Sequence, residues 1–112
     1  SPPGGDILVA CDAGHVIGAI AYYRFDDTHA ELKRFYMLPQ AKGKRIGGKL
    51  FHAALLHAKS RGYRFVRLDT LRRMEHARRI YAHYAFYEVP AWNQNHMHAD
   101  DLLYLELSSE DL

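Results

Sequence analysis

The hydrophobic pattern changes period once, at Lys42, and this change constrains the fold more than any other feature of the chain. Before it, short apolar runs at residues 6–11, 16–24 and 29–38 are separated by Asp12-Ala13-Gly14-His15 and Asp26-Asp27-Thr28, and Pro39 ends the third. Strands joined by such tight turns pair antiparallel. After it, Ile46, Leu50, Ala54, Leu55 and Ala58 recur at three- and four-residue spacing, which predicts an amphipathic helix running to Ser60 and stopped by Gly62. Phe65, Val66 and Leu68 form a strand to Thr70. Met74, Ala77, Ile80, Tyr81 and Tyr84 share one face of a second helix that stops near residues 86–90, and residues 102–107 alternate as a final strand. The predicted order is β-β-β-α-β-α-β, with the third and fourth strands joined through a helix and therefore parallel. The fold class is α/β of the α+β type, a mixed sheet with helices packed on it.

A chain of 112 residues, 48% of them apolar, builds one core, so residues 1–112 read as a single domain. Its net charge of +2 hides a segregation. Twelve of the fifteen Lys and Arg residues lie between Lys42 and Arg79 against only Asp69 and Glu75, leaving that window at +10 and the remainder at −8. A basic middle implies a polyanionic partner. No apolar run approaches the roughly 20 residues of a membrane span, and no signal segment opens the chain, so a cytoplasmic protein without a membrane partner is expected. The single cysteine, Cys11, excludes an internal disulfide and a multi-cysteine zinc site, and reads as a buried packing thiol. Gly18, inside the second strand, marks a bulge or a close backbone approach. The opening Ser1-Pro2-Pro3-Gly4-Gly5, without an initiator Met, reads as a scar or a cut end.

The stretch Leu38-Pro39-Gln40-Ala41-Lys42-Gly43-Lys44-Arg45-Ile46-Gly47-Gly48 takes a strand through a Gly- and Lys-rich turn into a helix. The first amides of a helix lack internal partners and point along the positive end of its dipole, a place for phosphate or pyrophosphate. Gly43, Gly47 and Gly48 would let a ligand approach the backbone; Lys42, Lys44 and Arg45 would add charge. A plain strand-to-helix turn explains the same spacing, and the stretch is neither a Walker loop nor a dinucleotide fingerprint.

Lys42-Gly43-Lys44-Arg45-Ile46-Gly47 resembles the phosphate loop of the GNAT superfamily of acyl-CoA-dependent N-acyltransferases, usually Arg-Gly-x-Gly-x-Gly or Ala, with Arg45 in place of the middle glycine. Glu31-Leu32-Lys33-Arg34-Phe35-Tyr36 is similar to the strand before that loop in one GNAT subgroup. Leu68-Asp69-Thr70-Leu71 and the segment from Met74 to Tyr81 are similar to its Met-x-x-Ala-x-x-Leu-Tyr helix and the strand before it, with Ala85-Phe86 where Gly-Phe is usual. The likeness runs over about residues 7–107.

This resemblance implies an N-acetyltransferase that uses acetyl-CoA as cosubstrate, without a metal, and acts on a small-molecule or peptide amine by direct attack. It places Tyr81 as the general acid for the departing thiolate, Glu31 as the candidate base, and the backbone at Met37 and Leu38 against the pantetheine arm. Lys42, Gly43, Lys44, Arg45, Ile46, Gly47 and Gly48 would hold the pyrophosphate. Glu31 also reads as a strand acid paired with Lys33 or Arg34, and Tyr81 as a core tyrosine. A catalytically silent acyl-CoA-binding module fits the same loop. Nucleic acid fits less well, because the basic residues straddle three elements with no reader motif. Family members carry one more strand and a helix pair ahead of this point, so a truncated or reduced fold is expected, with an open sheet face and edge that predict a homodimer. His96 and His98 read as a loop pair rather than metal ligands, His76 and His83 as the solvated face of the second helix. Trp92, Asn93 and Asn95 fall where the family often touches the acceptor.

Overall fold

The computed structural model describes residues 4–92 and 101–112. One six-stranded sheet runs in the order β1-β2-β3-β4-β6-β5. Its strands are β1 (Asp6–Asp12), β2 (His15–Arg24), β3 (His29–Met37), β4 (Phe65–Leu71), β5 (Tyr87–Glu88) and β6 (Leu102–Ser108), with α1 (Ile46–Ser60) and α2 (Glu75–Tyr81) between them. Only β3 and β4 pair in parallel; the other neighbours are antiparallel. The order of elements follows the periodicity, with one addition. β5 is two exposed residues long, too short to show any alternation.

Helix α1 begins at Ile46, later than the change of period, because a 3-10 turn at Pro39–Ala41 and a further turn precede it. Its apolar stripe of Leu50, Phe51, Ala54, Leu55 and Ala58 packs on Ile20, Tyr22, Ala30, Leu32, Val66, Leu68 and Leu107 from one face of the sheet. The second helix stops at Tyr81, yet Tyr84 beyond it still packs against the core. Cys11 is exposed, contrary to the expectation of a packing thiol. The β1–β2 register shifts between Ala10 and Cys11, at the end of an edge strand where no second layer covers the side chain.

On the opposite face the middle strands are held by polar contacts. Glu106 on β6 accepts from Arg67 Nη2 at 2.7 Å and from the Tyr87 hydroxyl at 2.6 Å, and its Oε1 lies 3.1 Å from His29 Nε2. The Arg67 guanidinium lies 4.5 Å from the ring centres of both Phe25 and Trp92, a cation–π sandwich. Burial alone would raise the Glu106 pKa; the donors Tyr87 and Arg67, with His29, outweigh it and hold the carboxyl below its ordinary value. A carboxyl depressed in the folded state stabilises above its unfolded pKa of about 4.3 and loses that contribution as pH falls through and below it. Glu106→Gln is therefore expected to lower the urea midpoint at pH 7 and to flatten its decline between pH 6 and pH 3; an equally steep decline in the variant would remove Glu106 as a source of acid sensitivity.

Candidate active site

Two strands that should run side by side come apart. The β3–β4 ladder consists of His29↔Phe65, Ala30↔Val66 and Glu31↔Arg67, while β3 continues to Met37 and β4 to Leu71 without pairing. A bulge in β3 accompanies the separation. Ala19 faces Tyr36 and Ala21 faces Lys33, so Ile20 alone stands opposite Arg34 and Phe35, and Arg34 takes a φ of 54°. Such an extra residue bends and twists its strand and interrupts the ladder. The gap is a cleft of about 270 Å³ whose lining includes Leu32, Phe35, Phe51, Leu68, Asp69 and Tyr81.

Where β3 ends, a second and larger space begins. A groove of about 770 Å³ is lined by Met37, Ala41, Lys42, Gly43 and the residues from Arg45 to Gly48, with His76, Ile80 and His83 of the α2 region opposite. Most of the predicted phosphate-loop set is thus brought together around the start of α1, where amides lack intrahelical partners. Lys44 is not among the lining residues; its Nζ lies 3.8 Å from Asp12 on β1. Arg45, just before the helix, has a φ of 58°, the left-handed region in which glycine is at ease and an L side chain is strained. His76 and His83 are exposed, as expected of a solvated face, and that face borders the groove, because the α1–α2 packing turns it toward the loop.

The two backbone positions predicted for a pantetheine arm separate. The Leu38 amide donates to the Ile17 carbonyl at 2.8 Å, so this amide is already engaged within the sheet. That same bond makes Met37 and Gly18 a non-hydrogen-bonded pair of the antiparallel ladder, and the Met37 N–H and C=O therefore turn away from β2 toward the open side.

Tyr81, at the end of α2, is 9% exposed, with its ring 5.1 Å from that of Phe51 and 6.0 Å from that of Phe86. Burial raises its pKa, the nearby charge of Asp69 adds to the rise, and a hydrogen bond with Thr70 opposes it. The phenol stays protonated at neutral pH. Glu31 sits at the last paired position of the ladder, where its Oε2 accepts from Trp92 Nε1 at 3.3 Å and lies 3.2 Å from Lys33 Nζ. The carboxylate that lines the cleft together with Tyr81 is Asp69, one pleat further along β4. Asp69 appears in the sequence only as part of the Leu68–Leu71 motif and carries no predicted role, although its alternation with Leu68 and Thr70 places it on the side of β4 away from the core. Asn93, Asn95, His96 and His98 lie outside the described residues, among which no cluster of His, Cys, Asp or Glu is arranged to hold a metal and no helix is long and apolar enough to cross a membrane.

The acetyltransferase (GNAT) family model matches residues 1–86. The chain belongs to the GNAT acetyltransferase family. An uncharacterized N-acetyltransferase of Schizosaccharomyces pombe is 31% identical over 96 residues, a match spanning 84% of this GNAT chain and 59% of that protein, so the chain spans less than two thirds of the relative's length. A solved acetyltransferase of Streptococcus agalactiae superimposes with a TM-score of 0.77 at 26% identity, over 94% of this chain and 67% of the other. A GNAT family acetyltransferase of Elizabethkingia anophelis, solved with acetyl-CoA bound, shares the fold with a TM-score of 0.77 at 21% identity, over 94% and 76%. The loop that resembles the GNAT phosphate loop is thus the groove's own rim, and the strained backbone falls at the residue that replaces its middle glycine. Arg45→Gly is expected to raise stability by up to about 1 kcal/mol through relief of the left-handed conformation, part of it offset by glycine's greater chain entropy. Thermal or urea denaturation without ligand reads the change; a lower midpoint would show that the arginine side chain stabilises this turn by other contacts.

Proposed function

We propose that this GNAT domain moves an acetyl group from acetyl-CoA to a primary amine by direct attack. The observation that carries the reading is that β3 lines an opened parallel ladder and ends at Met37 in a groove of amides and cations. Coenzyme A needs both parts: a place for its phosphates and a strand edge for its extended arm. Lys42, Arg45 and the amides at the start of α1 suit the first, the backbone at Met37 the second. That the Elizabethkingia anophelis protein of the same fold was solved with acetyl-CoA bound supports acetyl-CoA as the cosubstrate.

Bound acetyl-CoA supplies the activated thioester; the chain supplies positions and protons. An amine with a pKa of roughly 10 is mostly protonated at neutral pH and must lose a proton before it can attack. Two carboxylates on the same face suit that task. Asp69 lines the cleft with Tyr81, and Glu31 at its vertex steers the cation or takes the proton through water. The hydroxyl of the buried Tyr81, its pKa raised by burial, keeps its proton at neutral pH and would give it to the departing thiolate. The acceptor class is a small-molecule or peptide amine.

Acetyl-CoA is expected to raise the melting temperature, and an amine screen that measures released thiol is expected to find an acceptor. Tyr81→Phe should keep acetyl-CoA binding and lower turnover by about a hundredfold or more, the usual reach of a general acid. Loss of binding in that variant would make Tyr81 a packing residue. Of Asp69→Asn and Glu31→Gln, the one that abolishes the rise of kcat/KM with pH identifies the base. Acetyl-CoA binding without thiol release across a broad amine panel would leave a silent binding module, and absence of binding would end the reading.

A further inference from the structure

Gly18 lies on β2, outside the groove, but the groove's shape depends on its missing side chain. A Cβ built on Gly18 would stand 2.5 Å from Met37 Sδ, 2.8 Å from Met37 Cε and 3.2 Å from the Tyr36 carbonyl oxygen. The first two distances are well inside van der Waals contact. Gly18 and Met37 face each other as a non-hydrogen-bonded pair, the register in which opposite side chains come closest. The thioether of Met37 therefore lies across the bare backbone of β2. Gly18 does not take a φ in the left-handed region, so its backbone does not need glycine. The space that Met37 fills is what requires it.

We propose that Gly18 is a positioning residue for the anion groove: it gives the Met37 thioether a seat on β2 and so keeps it off the first turn of α1. The inference rests on the reading of the groove as a coenzyme A site. Met37 is part of the groove lining, and on its far side is Gly47, where a built Cβ would meet Met37 Cγ at 3.5 Å, Ile80 Cδ1 at 3.6 Å and Phe35 Cζ at 3.8 Å. These are ordinary contact distances. The interior directions are thus already filled by Phe35 and Ile80, both packed against the core. A methyl group at position 18 leaves the unbranched, flexible Met37 side chain one way to move, outward over Gly47 and into the groove. There it covers the amides that would bind phosphate. The two glycines differ: a Cβ at Gly47 would meet only ordinary contacts, whereas one at Gly18 would have to displace the Met37 thioether.

The test uses the whole chain and three variants: Gly18→Ala, Met37→Ala and the pair together. Calorimetry with coenzyme A is expected to show Gly18→Ala weakened by about tenfold or more, the fold-change corresponding to about 1.4 kcal/mol. The double variant is expected to bind as Met37→Ala does, because without the thioether the added methyl displaces nothing into the groove. Met37→Ala would also relieve simple overpacking, so the urea midpoints are read beside the affinities: a loss of coenzyme A binding in Gly18→Ala at temperatures where the variant is fully folded is expected, and a loss that only follows its unfolding would overturn the proposal. Independently of any ligand, the Met37 methyl resonance is expected to show a nuclear Overhauser contact to the Gly18 α-protons in the original chain, and in Gly18→Ala to exchange contacts with β2 for contacts with Gly47. Equal coenzyme A affinity in Gly18→Ala and the original chain, or failure of Met37→Ala to restore Gly18→Ala, would overturn the proposal. If the original chain binds no coenzyme A, the reading of the site fails while the methyl contacts still decide whether Gly18 seats Met37.

Discussion

The parallel ladder between β3 and β4 closes at Glu31 and Arg67, and the arrangement of the site depends on its closing there. Beyond that pair the two strands no longer pair with each other, at the center of a sheet where neighbouring edges are ordinarily paired. The bulge at Arg34 bends β3, β2 follows it as far as the bond from Leu38 to Ile17, and β4 stays with β6 along its whole length. One half of the sheet thus leans away from the other. The gap is bounded by Leu32 and Leu68 at its vertex and by Phe35, Phe51 and Tyr81 along its sides.

The rest of the site hangs on the two arms of this opening. The β3 arm ends in the Gly- and Lys-rich turn, so α1 starts where the opening is widest, with its free amides and cations already gathered. The β4 arm leads into α2, which carries Tyr81 back toward the cleft. Charge follows the same geometry: the segregated basic window of the chain supplies Lys42 and Arg45 to the groove, whereas Arg67 is turned to the other face and engaged with Glu106. Position in sequence made the window; the sheet decides which cations face a ligand.

Much of this architecture was legible in the residues. Alternation over three runs and a helical repeat from Ile46 gave the strands, α1 and the parallel crossing, because burial on one face enforces a period whatever the partner. The loop's chemistry was legible for the same kind of reason, since free amides and lysines at a helix start have a local meaning. The remaining features depend on tertiary placement. Arg34 and Arg45 adopt left-handed backbone without the glycine that would announce it, and His76 and His83 reach the groove only because of how α2 packs. Leu38 loses its amide to a neighbouring strand, a matter of register parity that the sequence does not print. Gly18 was visible as a point of close approach, but the residue approaching it lies nineteen positions away.

Phe51 bears the cost of building a site in this manner. It is 1% exposed, belongs to the packing of α1 on the sheet, and its ring lies within 6.1 Å of Phe35, Tyr81, Tyr84 and Phe86. The same ring is therefore a keystone of folding and a wall of the cleft. Regions that loosen independently in proteins are those with few buried contacts, and the floor of this cleft is not one of them. Its geometry shares the cooperativity of the domain. Mutational tolerance near the cleft and global stability are consequently one property measured twice, and change has freedom at the rim, among the exposed loops, but little at the floor.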